Sequence, residues 1–170
     1  MTDVLAGKAI LIVDDEPDVL ETLKELLDMC VVDCAPDFNT AKQFLKIKSY
    51  DAAILDIMGV NGYDLIELTE KKKIPTLMLT AHALSPDHLI GTIKKGACSY
   101  IPKHEMADIF SYVAELITAK EEGMQKPKNW FKKLTPYFDK KFGSDWKTVH
   151  KESLKDLDLT YSREELEKIL

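Results

Sequence analysis

Four short apolar runs in this chain each end on a polar residue able to do chemistry. Lys8–Val13 runs into Asp14-Asp15, Ala52–Leu55 into Asp56, Thr76–Leu79 into Thr80, and Ala97–Ile101 through Pro102 into Lys103. Three carboxylates brought together repel one another and need a cation. Oxygen ligands with no His or Cys among them favour Mg²⁺, or Mn²⁺, over zinc. Mg²⁺ keeps several waters and works with phosphate oxygens, so such a site asks for a phosphoryl group. An aspartate can serve as the nucleophile and become an acyl phosphate. The metal and Lys103 would then neutralise charge on the transferred group, and Thr80 would donate a hydrogen bond to one of its oxygens.

That chemistry requires elements that deliver the four ends to one place. The apolar runs are short and rich in β-branched residues, as strands buried on both faces are. Between them lie segments with apolar residues at helical spacing. Pro17–Asp28 carries Val19, Leu20, Leu23, Leu26 and Leu27; Asp37–Ile47 carries Phe38, Ala41, Phe44 and Leu45. Tyr63–Thr69 and Pro86–Lys94 are shorter, and Glu105–Ala119 aligns Ile109, Val113, Leu116 and Ile117. With Val31–Cys34 as a further strand, strand and helix alternate five times. This predicts a doubly wound α/β fold, a five-stranded parallel sheet of flavodoxin-like order 2-1-3-4-5 with helices on both faces. In that order strands one, three, four and five are neighbours, and ligands bind at their carboxyl ends.

Composition fits this and excludes other classes. The chain has 170 residues, 45% hydrophobic and 31% charged, enough for a packed core. No apolar run approaches the ~20 residues of a membrane span. The N-terminus lacks a basic stretch followed by an apolar one, so a cytoplasmic protein without membrane partners is expected. Cys30, Cys34 and Cys98 are too few and too scattered for a disulfide framework or a zinc site.

Charge divides the chain. Residues 1–120 carry 12 Lys and 19 Asp/Glu, net −7, whereas 126–151 hold eight Lys against Asp139 and Asp145. The expected organisation is a domain over 1–120 and a helical C-terminal extension over 121–170. In the extension Trp130, Phe131, Leu134, Tyr137, Phe138 and Phe142 keep helical spacing, with Pro136 expected to break or kink the helix. A helix over Trp146–Leu157 and a last one opened by a Ser162-Arg163-Glu164-Glu165 capping box complete the expectation. Mixed basic and aromatic residues suggest nucleic acid, but Lys dominates, Arg163 is the sole arginine and no helix-turn-helix pattern is visible, which disfavours DNA.

The runs Leu11-Ile12-Val13-Asp14-Asp15-Glu16, Ala53-Ile54-Leu55-Asp56, Leu77-Met78-Leu79-Thr80-Ala81 and Tyr100-Ile101-Pro102-Lys103 together resemble the receiver domain of two-component response regulators over residues 8–119. The resemblance implies that Asp56 is the phosphoacceptor, with a sensor histidine kinase or a histidine phosphotransfer protein as donor. It implies that Asp14, Asp15, Asp56 and the Met58 backbone carbonyl hold Mg²⁺, and that Lys103 contacts the phosphoryl group. Thr80 and Tyr100 would form the switch pair, biasing a face read by a downstream protein or by self-association. Such a protein is a phosphoacceptor switch rather than an enzyme, apart from catalysing its own phosphorylation and dephosphorylation. The alternatives are an aspartyl-phosphate hydrolase, against which Met58 stands where a second aspartate belongs, and a degenerate receiver that only binds. The chain departs from the family pattern in three places. Val60 replaces a proline four residues after the acceptor, Gly62 comes six rather than eight residues after it, and His104 replaces the proline after Lys103, so a trans bond is expected there. Met58 and His82 fall where the family varies, at positions that tune dephosphorylation.

Overall fold

The computed structural model describes residues 2–57, 59–81, 85–124, 126–127, 130–155 and 157. The order of elements is α1 (Thr2–Leu5), β1 (Ala9–Val13), α2 (Pro17–Leu26), β2 (Val31–Ala35), α3 (Phe38–Ile47), β3 (Ala52–Asp56), α4 (Gly62–Lys71), β4 (Thr76–Thr80), α5 (Pro86–Lys95), β5 (Ser99–Pro102), a 3₁₀ segment (Lys103–Asp108), α6 (Ile109–Glu121), α7 (Trp130–Phe142), α8 (Trp146–Val149) and α9 (Lys151–Lys155). The strands form one parallel sheet in the order β2-β1-β3-β4-β5, the order the alternating pattern predicts. Helices α2 and α6 pack together on one face, and α3, α4 and α5 in succession on the other.

Local chemistry sets these boundaries. Pro17 opens α2, where its missing N–H costs nothing. Asp37 caps α3 by accepting from the Thr40 N–H at 2.7 Å, and Ser85 caps α5 by accepting from His88 N–H. Strands β1, β3 and β4 lie inside the sheet between two helical layers, so their side chains are buried on both faces. Val13 pairs with Leu55, Leu55 with Met78 and Thr80 with Pro102, which aligns the carboxyl ends of β1, β3, β4 and β5.

The loop after β3 is closed tightly. A Cβ on Gly62 would lie 2.4 Å from the Asp56 carbonyl oxygen, a gap only glycine fits, and Asn61 before it takes a left-handed φ of 57°. This close approach lets α4 begin at Gly62, so the short loop is accommodated without lengthening β3.

Several expected boundaries shift. The helix expected over Glu105–Ala119 begins as a 3₁₀ segment, because Glu105 and Asp108 sit near ψ 16° and 8°, and becomes α-helical only from Ile109. The last strand starts at Ser99 rather than Ala97. Pro136 does not break its helix: α7 runs through it. Lys132, whose carbonyl loses its partner to the proline, is exposed with Pro136 on the solvent side, where water can satisfy it. The helix expected over Trp146–Leu157 is two short ones, interrupted at His150. The Ser162–Glu165 capping box lies outside the described residues.

The C-terminal helices do not build a separate core. Trp130, Phe131, Leu134, Phe138, Trp146 and Leu154 join the same buried cluster as the sheet, and α7 lies against β5, the open edge of the sheet. Among the described residues no helix is long and apolar enough to cross a membrane.

Candidate functional site

The aligned strand ends carry the polar groups that the sequence singles out. Asp14 follows β1 and is fully buried (0% exposed), Asp56 closes β3, Thr80 closes β4 and Lys103 follows β5; all but Lys103 are nine-tenths or more buried. Asp15, beside Asp14, is exposed. The Met58 carbonyl lies outside the described residues, as does His82. All described peptide bonds are trans, the one after Lys103 included.

Lys103 organises the site. Its Nζ lies 2.6 Å from Glu16 Oε1, 3.0 Å from Asp14 Oδ2 and 3.7 Å from Asp56 Oδ2. Burial alone would depress the ammonium's pKa, but the hydrogen bonds to Glu16 and Asp14 and the charges of Asp14 and Asp56 outweigh it and hold the pKa above its ordinary value. Lys103 therefore stays charged. Burial raises the Asp14 pKa above the ordinary 3.8; the Glu16 N–H donating at 2.9 Å and the Lys103 ammonium offset this only in part, and the Asp56 charge adds to it. Asp56 Oδ2 accepts the Gly59 N–H at 3.3 Å.

The carboxylates suit a hard divalent cation. Ligand oxygens of Asp14, Asp15 and Glu16 all lie within 4.8 Å of one another. Asp14 Oδ2 is fully shielded from solvent, and the partner it faces is the Lys103 ammonium at 3.0 Å. A buried carboxylate oxygen in an all-oxygen acidic pocket is the setting in which Mg²⁺ or a similar ion is held. Asp56 lies close enough to Asp14 for its charge to act on that carboxyl.

Two participants escape the sequence reading. Glu16 is the third member of the acidic cluster and a partner of Lys103; the signal was an acid directly following Asp14-Asp15. Gly59 presents its N–H to Asp56 and brings its Cα so near Asp15 that a Cβ would fall 2.3 Å from Oδ1.

The two residues expected to act as a switch are both buried and both bonded. Thr80 Oγ1 donates to the Ile101 carbonyl at 3.4 Å, toward β5, and Tyr100 Oη donates to the Leu89 carbonyl at 3.2 Å. Tyr100 is 1% exposed, and burial carries its phenol well above the ordinary pKa. The Trp130 ring covers it, stacked at a centroid distance of 5.8 Å, with Phe138 edge-on at 6.2 Å.

Comparison with known proteins bears on the same region. The family model described as the response regulator receiver domain matches residues 10–114. The transcriptional regulatory protein CpxR of Klebsiella pneumoniae is 39% identical over 99 residues, 55% of this chain and 42% of that protein. Response regulator GtcR of Aneurinibacillus migulanus is 35% identical over 103 residues, 57% of this chain and again 42% of the relative. The chain thus spans well under half the length of these curated relatives. A crystal structure of a CheY-like receiver domain protein from Methanospirillum hungatei superposes with a TM-score of 0.64 at 22% identity, covering 69% of this chain and 99% of that one. At that identity the likeness speaks for the fold.

Proposed function

The chain belongs to the response regulator receiver domain family, and from that premise we propose that it accepts a phosphoryl group on Asp56 from a phosphohistidine donor, in a Mg²⁺-dependent reaction, and passes on the change as a conformational signal. The observation that carries this reading is the convergence of a nine-tenths-buried Asp56, a charged Lys103 and a carboxylate cluster at the carboxyl ends of three strands.

An Asp56 carboxylate oxygen attacks the phosphorus; a P–O bond forms as the donor's P–N bond breaks, and the leaving imidazole takes up a proton. The product is an acyl phosphate. Asp14 and Asp15, with Asp56, would hold Mg²⁺, which when bound neutralises charge on the phosphoryl oxygens. Lys103, already within 3.7 Å of Asp56, supplies a second positive charge to the same oxygens, leaving its contact with Glu16 to do so. Thr80 donates its hydroxyl to another oxygen once it releases the Ile101 carbonyl. The Gly59 N–H beside Asp56 is a further donor aimed at the developing charge. The donor is a histidine kinase or histidine phosphotransfer protein, as the response regulators it resembles imply.

Incubation with acetyl phosphate and Mg²⁺ tests the assignment by intact mass. The expected result is one added phosphoryl group, labile to base and lost with EDTA present from the start. Asp56→Asn should take up none; persistent labelling of that variant removes Asp56 from the role.

A further inference from the structure

The segment after Lys120 is seated on a particular place. Helix α7 lies against β5, and the segment reaches α6 on one side and α5 on the other. On the α6 side Lys133 Nζ lies 3.2 Å from Glu115 and 4.1 Å from the centroid of the Tyr112 ring. On the α5 side His150 Nδ1 lies 3.7 Å from Asp87. Between them Trp130 and Phe138 close over Tyr100 of β5.

Magnitudes decide which contact governs docking. Lys133 and Glu115 are 43% and 46% exposed, and pairs of that kind contribute little. The aromatic contact buries far more apolar surface, and a stacked or edge-to-face pair adds stability beyond its area. The docked state also carries a cost: Trp130 Nε1 is buried with no acceptor among the described residues, a desolvation penalty that undocking would relieve. The helix is therefore held more by its aromatic contact with Tyr100 than by the Lys133–Glu115 pair, and not without penalty.

The same four residues connect this contact to the candidate site. Along Tyr100-Ile101-Pro102-Lys103, Lys103 touches Asp56 and Asp14, Ile101 receives the Thr80 hydroxyl, and Tyr100 receives α7. A phosphoryl group on Asp56 draws Lys103 off Glu16 and Thr80 off the Ile101 carbonyl, so both anchors of this strand end move. Tyr100 cannot follow while it is bonded to Leu89 and clamped under Trp130.

We propose that the 130–155 segment is a detachable cover whose docking on Tyr100 opposes the phosphorylated arrangement of the site, so that phosphorylation of Asp56 releases α7 and bares its aromatic face together with the α5–β5–α6 face beneath. The inference rests on the phosphoacceptor reading of Asp56. Linkage makes it reciprocal: what the phosphoryl group does to the cover, loss of the cover does to phosphoryl-group binding.

Both tryptophans, Trp130 and Trp146, lie in the cover and are buried, so the full chain reports on itself. It is incubated with acetyl phosphate and Mg²⁺, and label is read by intact mass alongside tryptophan emission and hydrogen exchange. The expected result is label on Asp56 with a red-shifted emission and exchange over 130–142 faster by roughly tenfold or more. Label with unchanged emission and exchange, or with slower exchange, overturns the cover and leaves the phosphoacceptor role standing; absence of label overturns both. In a second arm, Trp130→Leu is titrated with beryllofluoride and Mg²⁺ by calorimetry. Binding roughly fivefold or more tighter than in the unaltered chain supports the reciprocal coupling, and equal or weaker binding overturns it.

Discussion

Lys103 shows how one side chain can hold together a site built from groups that repel. It reaches three carboxylates that burial and crowding would otherwise destabilise. Replacing it by Met should slow acetyl-phosphate labelling by on the order of 10²-fold, the usual effect of deleting one group that stabilises developing charge; stopped-time mass spectrometry would measure this. Asp33 makes a different point, away from the site. Its carboxylate accepts from Lys48 Nζ at 2.9 Å and from the Tyr50 hydroxyl at 2.8 Å. The Lys48 bond, the largest effect, holds its pKa below the ordinary 3.8; burial opposes it, and the Tyr50 bond and the Lys48 charge add to the lowering. A carboxyl whose folded pKa is lowered contributes stability that is complete above 3.8 and fades as pH falls through the folded value. Asp33→Asn should therefore cost about 1 kcal/mol at neutral pH, and the difference should close below pH 3.8. Urea titrations at a series of pH values would follow it.

At the scale of elements, the loop from β3 to α4 is the tightest constraint. Gly62 lets α4 begin against the backbone of Asp56 and Ile57, so the strand that carries the candidate nucleophile and the helix behind it are locked in register. A methyl at Gly62 must push backbone apart rather than turn a side chain aside. Gly62→Ala should destabilise by roughly 2–3 kcal/mol and, by displacing Asp56, lower labelling as well. A variant as stable and as readily labelled as the parent would show that the approach has slack. The 3₁₀ segment after β5 is the second constraint: it turns the chain just where Lys103 must reach inward, and the regular helix resumes at Ile109.

At the scale of the molecule, the C-terminal segment shares the core of the sheet. The acidic body and the basic, aromatic segment differ in composition, yet Trp130, Phe131 and Phe138 are as deeply buried as the strands. In the absence of phosphoryl donor the chain should unfold in a single transition, with tryptophan emission, which reports 130–146, coincident with far-UV circular dichroism, which reports the whole backbone. A tryptophan transition at clearly lower denaturant would mean that the segment comes away before the sheet opens.

The sheet order and the strands that lead to Asp14, Asp56, Thr80 and Lys103 were legible in the chain, because burial on both faces is a local and periodic demand. The same local rules misjudged Pro136 and the start of α6. A helix tolerates a proline when the orphaned carbonyl faces water, and a helix start yields when Lys103 is bound elsewhere; neither condition is written in the neighbouring residues. Glu16 on Lys103, Gly59 against Asp15 and α7 over Tyr100 depend on groups that meet from places far apart in sequence. The sequence determined which groups stand at one edge of the sheet. Only the tertiary structure decided that the edge strand beside them, with Tyr100 in it, is covered by the chain's own C-terminal helix, since burying those aromatic rings requires a surface that exists only once the sheet has formed.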